Sequence, residues 1–144
     1  MKAVRTLEID LNRCIGCQAC THVCPAKLIS FRDHESRRTL QFAKTCTEDC
    51  NRCVEACSEA AIRLAPTDQT SKEHLAAQFA LMRCDACGNA YATEKMVDKL
   101  RASVPALLIP PDQNWLEMCL DCRRTAEAGQ IASRGLMQRS FLFG

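Results

Sequence analysis

Aromatic residues are scarce. One tryptophan, one tyrosine and five phenylalanines make up 5% of the 144 residues. A chain of this length can form one domain or two very small ones, and the aromatic share of its core is thin. Charge of one sign is lacking too. The formal net charge is +2, and the two halves are alike: residues 1–66 hold ten Lys/Arg and eight Asp/Glu, residues 67–144 nine of each. No strong nucleic-acid or membrane field is implied. No apolar run approaches the roughly 18 residues of a membrane span. The start, Met1 to Asp10, is basic but interrupted by charges, so it lacks the apolar stretch of a secretory leader. These absences predict a cytoplasmic chain. Neither a Gly-rich nucleotide loop, nor a paired-carboxylate site, nor a Ser-His-Asp set stands out, and no catalytic site of its own is expected.

What the chain has is cysteine, twelve in all. In a reducing compartment, clustered thiols are more often ligands than disulfides. Cys14, Cys17, Cys20 and Cys24 form C-x2-C-x2-C-x3-C, followed by Pro25. Cys46, Cys50, Cys53 and Cys57 form C-x3-C-x2-C-x3-C, followed by Ser58. Cys84–Cys87 and Cys119–Cys122 are two C-x2-C pairs. The first two groups are one unit repeated. At an offset of 33, Cys17, Cys20 and Cys24 map onto Cys50, Cys53 and Cys57, and Ile29 and Phe31 map onto Ile62 and Leu64. Cys14 misses Cys46 by one residue, an insertion in the second copy.

Short strands are expected around each copy, at Leu7-Ile9-Leu11, Leu28–Phe31, Leu40–Phe42 and Ala61–Leu64. Polar residues Arg32–Arg38 read as the loop between copies. Residues 66–75 read as a linker. His74–Met82 and Thr93–Val104 look helical, the second with Thr93 as N-cap and Met96, Leu100 and Val104 on one face. Three prolines in 105–111 break that helix, and helix is expected again from Trp115 onward.

The first motif has the spacing of the bacterial ferredoxin run. Three thiolates two residues apart lie on one tight loop, while Pro25 turns Cys24 away from it. Residues 7–64 resemble a dicluster bacterial-type ferredoxin domain, with an extra residue between Cys46 and Cys50 and Ser58 where proline often stands. The resemblance implies an α+β, pseudo-duplicated fold around two [4Fe–4S] clusters. It implies crossed ligation: Cys14, Cys17, Cys20 and Cys57 for the first cluster, and Cys46, Cys50, Cys53 and Cys24 for the second. An N–H at Ser58, directed at a cluster sulfur, would raise the potential of the cluster held by Cys57.

Cys84-Asp85-Ala86-Cys87-Gly88 resembles a zinc or rubredoxin knuckle, and Gly88 sits where a tight turn needs positive φ. With Cys119 and Cys122 it offers four thiolates suited to tetrahedral coordination. Structural zinc is expected. Rubredoxin-like iron, a third iron–sulfur cluster and a thiol–disulfide pair are the alternatives. The domains then run 1–65, the dicluster domain; 66–75, the linker; and 76–144, a small metal-stapled and mainly helical extension.

The whole arrangement resembles the small iron–sulfur subunit of formate hydrogenlyase and related membrane-bound hydrogenases, itself similar to the quinone-side ferredoxin subunit of complex I. The iron–sulfur subunits of formate dehydrogenases and other molybdopterin enzymes are also similar. The resemblance implies an electron-transfer subunit, with a hydrogenase or molybdopterin catalytic subunit as partner. It would sit in the cytoplasm or on the cytoplasmic face of a membrane-bound complex, without its own span. The alternative is a regulatory or nucleic-acid-interacting module whose clusters act as sensors, against which near-neutral charge and few aromatics argue. His22, inside the first motif, could hydrogen-bond near a cluster but reads as solvent-facing, and His34 and His74 are not expected to be ligands. Arg37-Arg38 and Arg123-Arg124 read as solvated surface. Phe141, Leu142 and Phe143 are apolar at the chain end, available to a partner or to the chain's own packing.

Overall fold

In the computed structural model, residues 3–108 and 114–142 are described, with side chains through residue 135. The elements in chain order are β1 (Arg5–Ile9), α1 (Ala19–Val23), β2 (Ile29–His34), β3 (Arg37–Ala43), β4 (Thr45–Cys46), α2 (Arg52–Ala56), β5 (Ile62–Pro66), β6 (His74–Arg83), β7 (Ala90–Thr93), α3 (Glu94–Ser103) and α4 (Leu120–Leu142). Single 3-10 turns stand at Ala106–Leu108 and Trp115–Glu117. The chain is α+β. None of the described helices is long and apolar enough to cross a membrane.

Two antiparallel sheets carry the fold, in the orders β4-β1-β5 and β2-β3-β6-β7. Alternation sets which residues face inward. Leu7 pairs with Leu64 and Ile9 with Ile62 across the first sheet. In the second, Ile29 pairs with Phe42 and Phe31 with Leu40. Leu7, Ile29, Leu40, Phe42, Ile62 and Phe79 form one core, into which Cys20 and Cys53 are built. Leu40 is 0% exposed; full burial of such a side chain contributes about 1.5–3 kcal/mol.

The sequence repeat reappears in the backbone. Cys24 and Cys57 follow the one-turn helices α1 and α2 with nearly the same dihedrals, φ −76°, ψ 112° and φ −81°, ψ 102°. The amides of Lys27 and Ala60 then donate to the Cys24 and Cys57 carbonyls. Both residues are left-handed, at φ 52° and 48°. The next amides, Leu28 and Ala61, donate to the sulfurs of Cys24 and Cys57 at 3.4 and 3.3 Å. The copies part at the start of their helices, where Gln18 is left-handed (φ 68°) and Asn51 is not (φ −118°). That is the side of the second copy on which the inserted residue lies.

Three sequence expectations are corrected. His74–Met82 is strand, not helix: seven residues of β6 pair with seven of β3, from Arg37↔Ala80 to Ala43↔His74. Ala, Leu, Gln and Met favour helix in isolation, but the open edge of β3 supplies a ladder that outweighs propensity. Phe79 and Leu81 face the core, and the small exposed Ala76 and Ala80 hide the alternation. The loop expected at Arg32–Arg38 is a hairpin turning at Glu35 and Ser36, with Glu35 at φ 52°. Leu11 lies beyond β1 and is exposed.

The expected helix after Thr93 is present. Helix α3 begins after Thr93, whose hydroxyl accepts from the Met96 amide. It ends before Pro105, whose ring disfavours helix in the residue preceding it. Residues on the two sides of the expected 66–75 linker share one sheet. The linker itself is tied to the strand side of the fold by Thr45 Oγ1 to the Ser71 carbonyl at 2.8 Å and by Lys44 to Glu73. Pro110, Pro111 and the side chains of Phe141, Leu142 and Phe143 lie outside the described residues.

Candidate metal centres

The first cysteine loop begins where β1 ends. Asp10 turns the chain: its carbonyl accepts from the Arg13 and Cys14 amides and its carboxylate from the Asn12 amide. Outside groups then take the loop's carbonyls. Lys95 Nζ donates to the carbonyls of Leu11 at 2.6 Å and Cys14 at 3.3 Å. Thr93 Oγ1 donates to the Ile15 carbonyl. Arg38 Nη1 donates to the Gly16 carbonyl at 2.8 Å. With these carbonyls taken by outside groups, the Gly16 amide lies close enough to the Cys14 thiol to lower its pKa. Gly16 has φ +73°, and a Cβ there would meet Thr93 Cγ2 at 2.9 Å. Both facts demand glycine.

One cavity lies beneath this loop. Cys14, Cys17, Cys20 and Cys57 line it, with Ile9, Phe31, Leu40 and Ile62 as its apolar wall. The Cys57 thiol faces Cys14 and Cys20. Burial is the main reason the Cys14 and Cys20 thiols are raised. It raises the Cys14 pKa, partly offset by the Gly16 N–H, and with neighbouring Cys14 and Cys17 it pushes Cys20 up to about 12. Four thiolates packed this closely call for positive charge among them.

The second loop gathers Cys24, Cys46 and Cys50 about Cys53, whose thiol is also raised, first by burial and then, against the Val54 N–H, by those three neighbours. Cys46 is fixed by the short strand β4 and Cys53 by α2; both are buried. Here the clamp is Arg5. Its guanidinium donates to the Glu48 carbonyl, to the Cys50 carbonyl at 2.7 Å and to Asn51 Oδ1 at 2.9 Å. The inserted residue is thus absorbed in a loop whose outward carbonyls share one cation.

The two C-x2-C pairs meet although 31 residues separate them. The sulfurs of Cys84, Cys87, Cys119 and Cys122 all lie within 4.8 Å of one another. Cys87 and Cys119 stand 3.8 Å apart. Ligands of a tetrahedral ion with metal–sulfur bonds of about 2.3 Å would be separated by about 3.8 Å. A knuckle forms the first pair: the Gly88 amide donates to the Cys84 carbonyl, and Gly88 has φ +73°. The second pair is held by Tyr91, which donates to the Leu116 carbonyl at 2.6 Å, and by the Asp85 amide on the Glu117 carbonyl. The Cys119 amide donates to the Cys84 sulfur at 3.2 Å and is the main cause of its pKa falling to about 6. Hydrogen bonds with Cys119, Cys87 and Cys84 push Cys122 up to about 12. The donor set fits a thiophilic, four-coordinate ion.

Arg38 corrects an expectation. It is not solvated surface but 6% exposed, on the core-facing row of β3 with Leu40 and Phe42. Nε and Nη2 bind both oxygens of Asp33, at 2.7 and 2.8 Å, and hold its carboxyl below the ordinary value. The oxygen of the Gln18 amide, oriented to satisfy both its ends, faces the same guanidinium at 2.9–3.1 Å. Two arginines in a row look like surface, and only the strand parity separates exposed Arg37 from buried Arg38. Arg123 is also engaged, over the Trp115 ring and on the Met118 carbonyl, whereas Arg124 is exposed. His22, His34 and His74 are exposed.

Residues 6–58 match the family model of a 4Fe-4S dicluster domain. No curated protein matches the chain. The matched span holds all eight cysteines of the two repeated motifs, and the match supports a ferredoxin-like iron–sulfur protein.

Proposed function

We propose that this chain is a non-catalytic electron-transfer subunit with two [4Fe–4S] clusters, working inside a larger oxidoreductase of the hydrogenase or formate dehydrogenase type. Cys14, Cys17, Cys20 and Cys57 hold the first cluster. Cys46, Cys50, Cys53 and Cys24 hold the second. Bound clusters accept and release one electron at a time. The chain's own residues supply the thiolates, direct amides at sulfur and keep water from the apolar wall of Ile9, Phe31, Leu40 and Ile62. The observation that supports this reading is the cavity that Cys57 lines together with Cys14, Cys17 and Cys20.

Cys84, Cys87, Cys119 and Cys122 hold one zinc ion, a closed site with a structural role. The sulfur spacing of a mononuclear tetrahedral ion favours zinc over a third cubane. Metal closure stiffens an extension with little core of its own, and that extension docks the clusters against a hydrogenase or molybdopterin subunit on the cytoplasmic side.

The test is metal analysis joined to EPR. The reconstituted chain should hold about eight irons with matching sulfide, from two four-iron clusters. Cys24→Ala should damage the cluster of the second motif and Cys57→Ala that of the first. If each substitution perturbed the cluster of its own motif, the crossed assignment would be wrong, and four irons per chain would end the two-cluster reading.

A further inference from the structure

Arg38 is a buried cation with an incomplete neutralising partner. Its side chain is 7% exposed, while that of Asp33 is 45% exposed. Water screens the carboxylate more than the guanidinium, so the pair does not cancel on its inner side. That inner side faces the first cysteine loop. Arg38 Nη1 holds the carbonyl of Gly16, which stands between Cys14 and Cys17. The Gln18 amide and Leu40, both lining the cavity of Cys14, Cys17, Cys20 and Cys57, flank it.

We propose that Arg38 is a positioning residue that raises the reduction potential of the first cluster, with Asp33 setting how much of its charge the cluster feels. The inference rests on the cluster assignment above. Reduction adds one negative charge inside the cavity, and a fixed positive charge in a poorly solvated place stabilises the product more than the reactant. Arg38 also holds the carbonyl of the peptide that joins Gly16 to Cys17, which fixes the loop between Cys14 and Cys17. Removing Arg38 therefore takes away that stabilising charge and frees the Gly16 carbonyl. Removing the charge of Asp33 does the reverse, because the guanidinium is then left uncompensated.

The experiment is an anaerobic potentiometric titration of the reconstituted chain with dithionite and mediators, read by EPR. Each cluster takes one electron, so the second cluster is an internal reference. Arg38→Gln should lower one midpoint and leave the other in place. At a fixed potential the ratio of reduced to oxidised first cluster should fall roughly tenfold, a shift of about 59 mV for one electron. Asp33→Asn should move the same midpoint upward, and Arg38→Lys should retain most of the wild-type value. Opposite shifts from the two ends of one ion pair are not produced by loss of structure, which would act in the same direction for both. Should Arg38→Gln fail to assemble, Asp33→Asn still decides. An unmoved midpoint in Asp33→Asn, a downward shift in Asp33→Asn, an upward one in Arg38→Gln, or equal movement of both clusters would overturn the proposal. A wild-type chain lacking the first cluster would overturn the assignment beneath it instead.

Discussion

Thr93 donates its hydroxyl to the carbonyl of Ile15, 78 residues away in sequence, while accepting the amide of Met96. One fully buried side chain thus caps α3 and fastens the first cysteine loop to it. Thr93→Val keeps the shape and loses both bonds. A lost cap costs about 0.5–2 kcal/mol, and an abandoned buried carbonyl about 1–3 kcal/mol. Hydrogen exchange at the Met96 amide should quicken by about fivefold or more. Thr93→Ser should stay near wild type.

Gly16→Ala meets that same threonine. The left-handed φ costs an alanine about 1–2 kcal/mol, and the new methyl would stand 2.9 Å from Thr93 Cγ2. The first loop should close poorly, so iron should fall from about eight toward about four per chain, the remaining cluster being the second. Combining Gly16→Ala with Thr93→Ser should recover part of the loss, because the side chain in the way has become smaller.

Arg5 gives the second loop its own test. Arg5→Met removes a charged donor from the carbonyls of Glu48 and Cys50 and from Asn51. Bonds to charged groups are worth about 1.5–3 kcal/mol each, less where solvent reaches them. Release of iron from the second cluster to a chelator should accelerate about tenfold, corresponding to about 1.4 kcal/mol. The first cluster should release iron at the wild-type rate.

Zinc removal should be local. The staple joins the Cys84 knuckle to Cys119 and to Cys122 in the first turn of α4, while β6 and β7 are held separately by the sheet and α3 by Thr93 and Lys95. Cys119→Ser should lose zinc and keep about eight irons. Pull-down of the partner subunit should weaken in the same preparation. Loss of both cubanes with the zinc would show that the staple is part of the cluster scaffold, and unchanged assembly would end the docking role.

The eight repeated cysteines were legible because their spacing encodes the tight loops that hold them. Thr93 and α3 were legible too, since a capping hydroxyl before an amphipathic run has local causes. Less was visible where long-range pairing decides. His74–Met82 reads as helix until β3 offers it an edge. Arg38 reads as surface until its parity with Leu40 and Phe42 is known, and Lys95 carries no mark that its ammonium reaches Leu11 and Cys14. These contacts join residues tens of positions apart, and no local pattern announces them. The meeting of Cys84–Cys87 with Cys119–Cys122 is equally distant, but thiols in C-x2-C pairs advertise a shared ion.

The ladder between β3 and β6 has a further consequence. Without β6, the backbone of β3 from Arg37 to Ala43 would present its outer amides and carbonyls to solvent as an unguarded rim. A chain cut after Pro66 would also uncover Leu40 and Phe42 on the flank where Phe79 now packs. Such a fragment would retain all eight cysteines of the repeat, yet it would carry a sticky edge suited to stacking against its own copies. Strand β6 thus closes an edge that the first 66 residues alone would leave open.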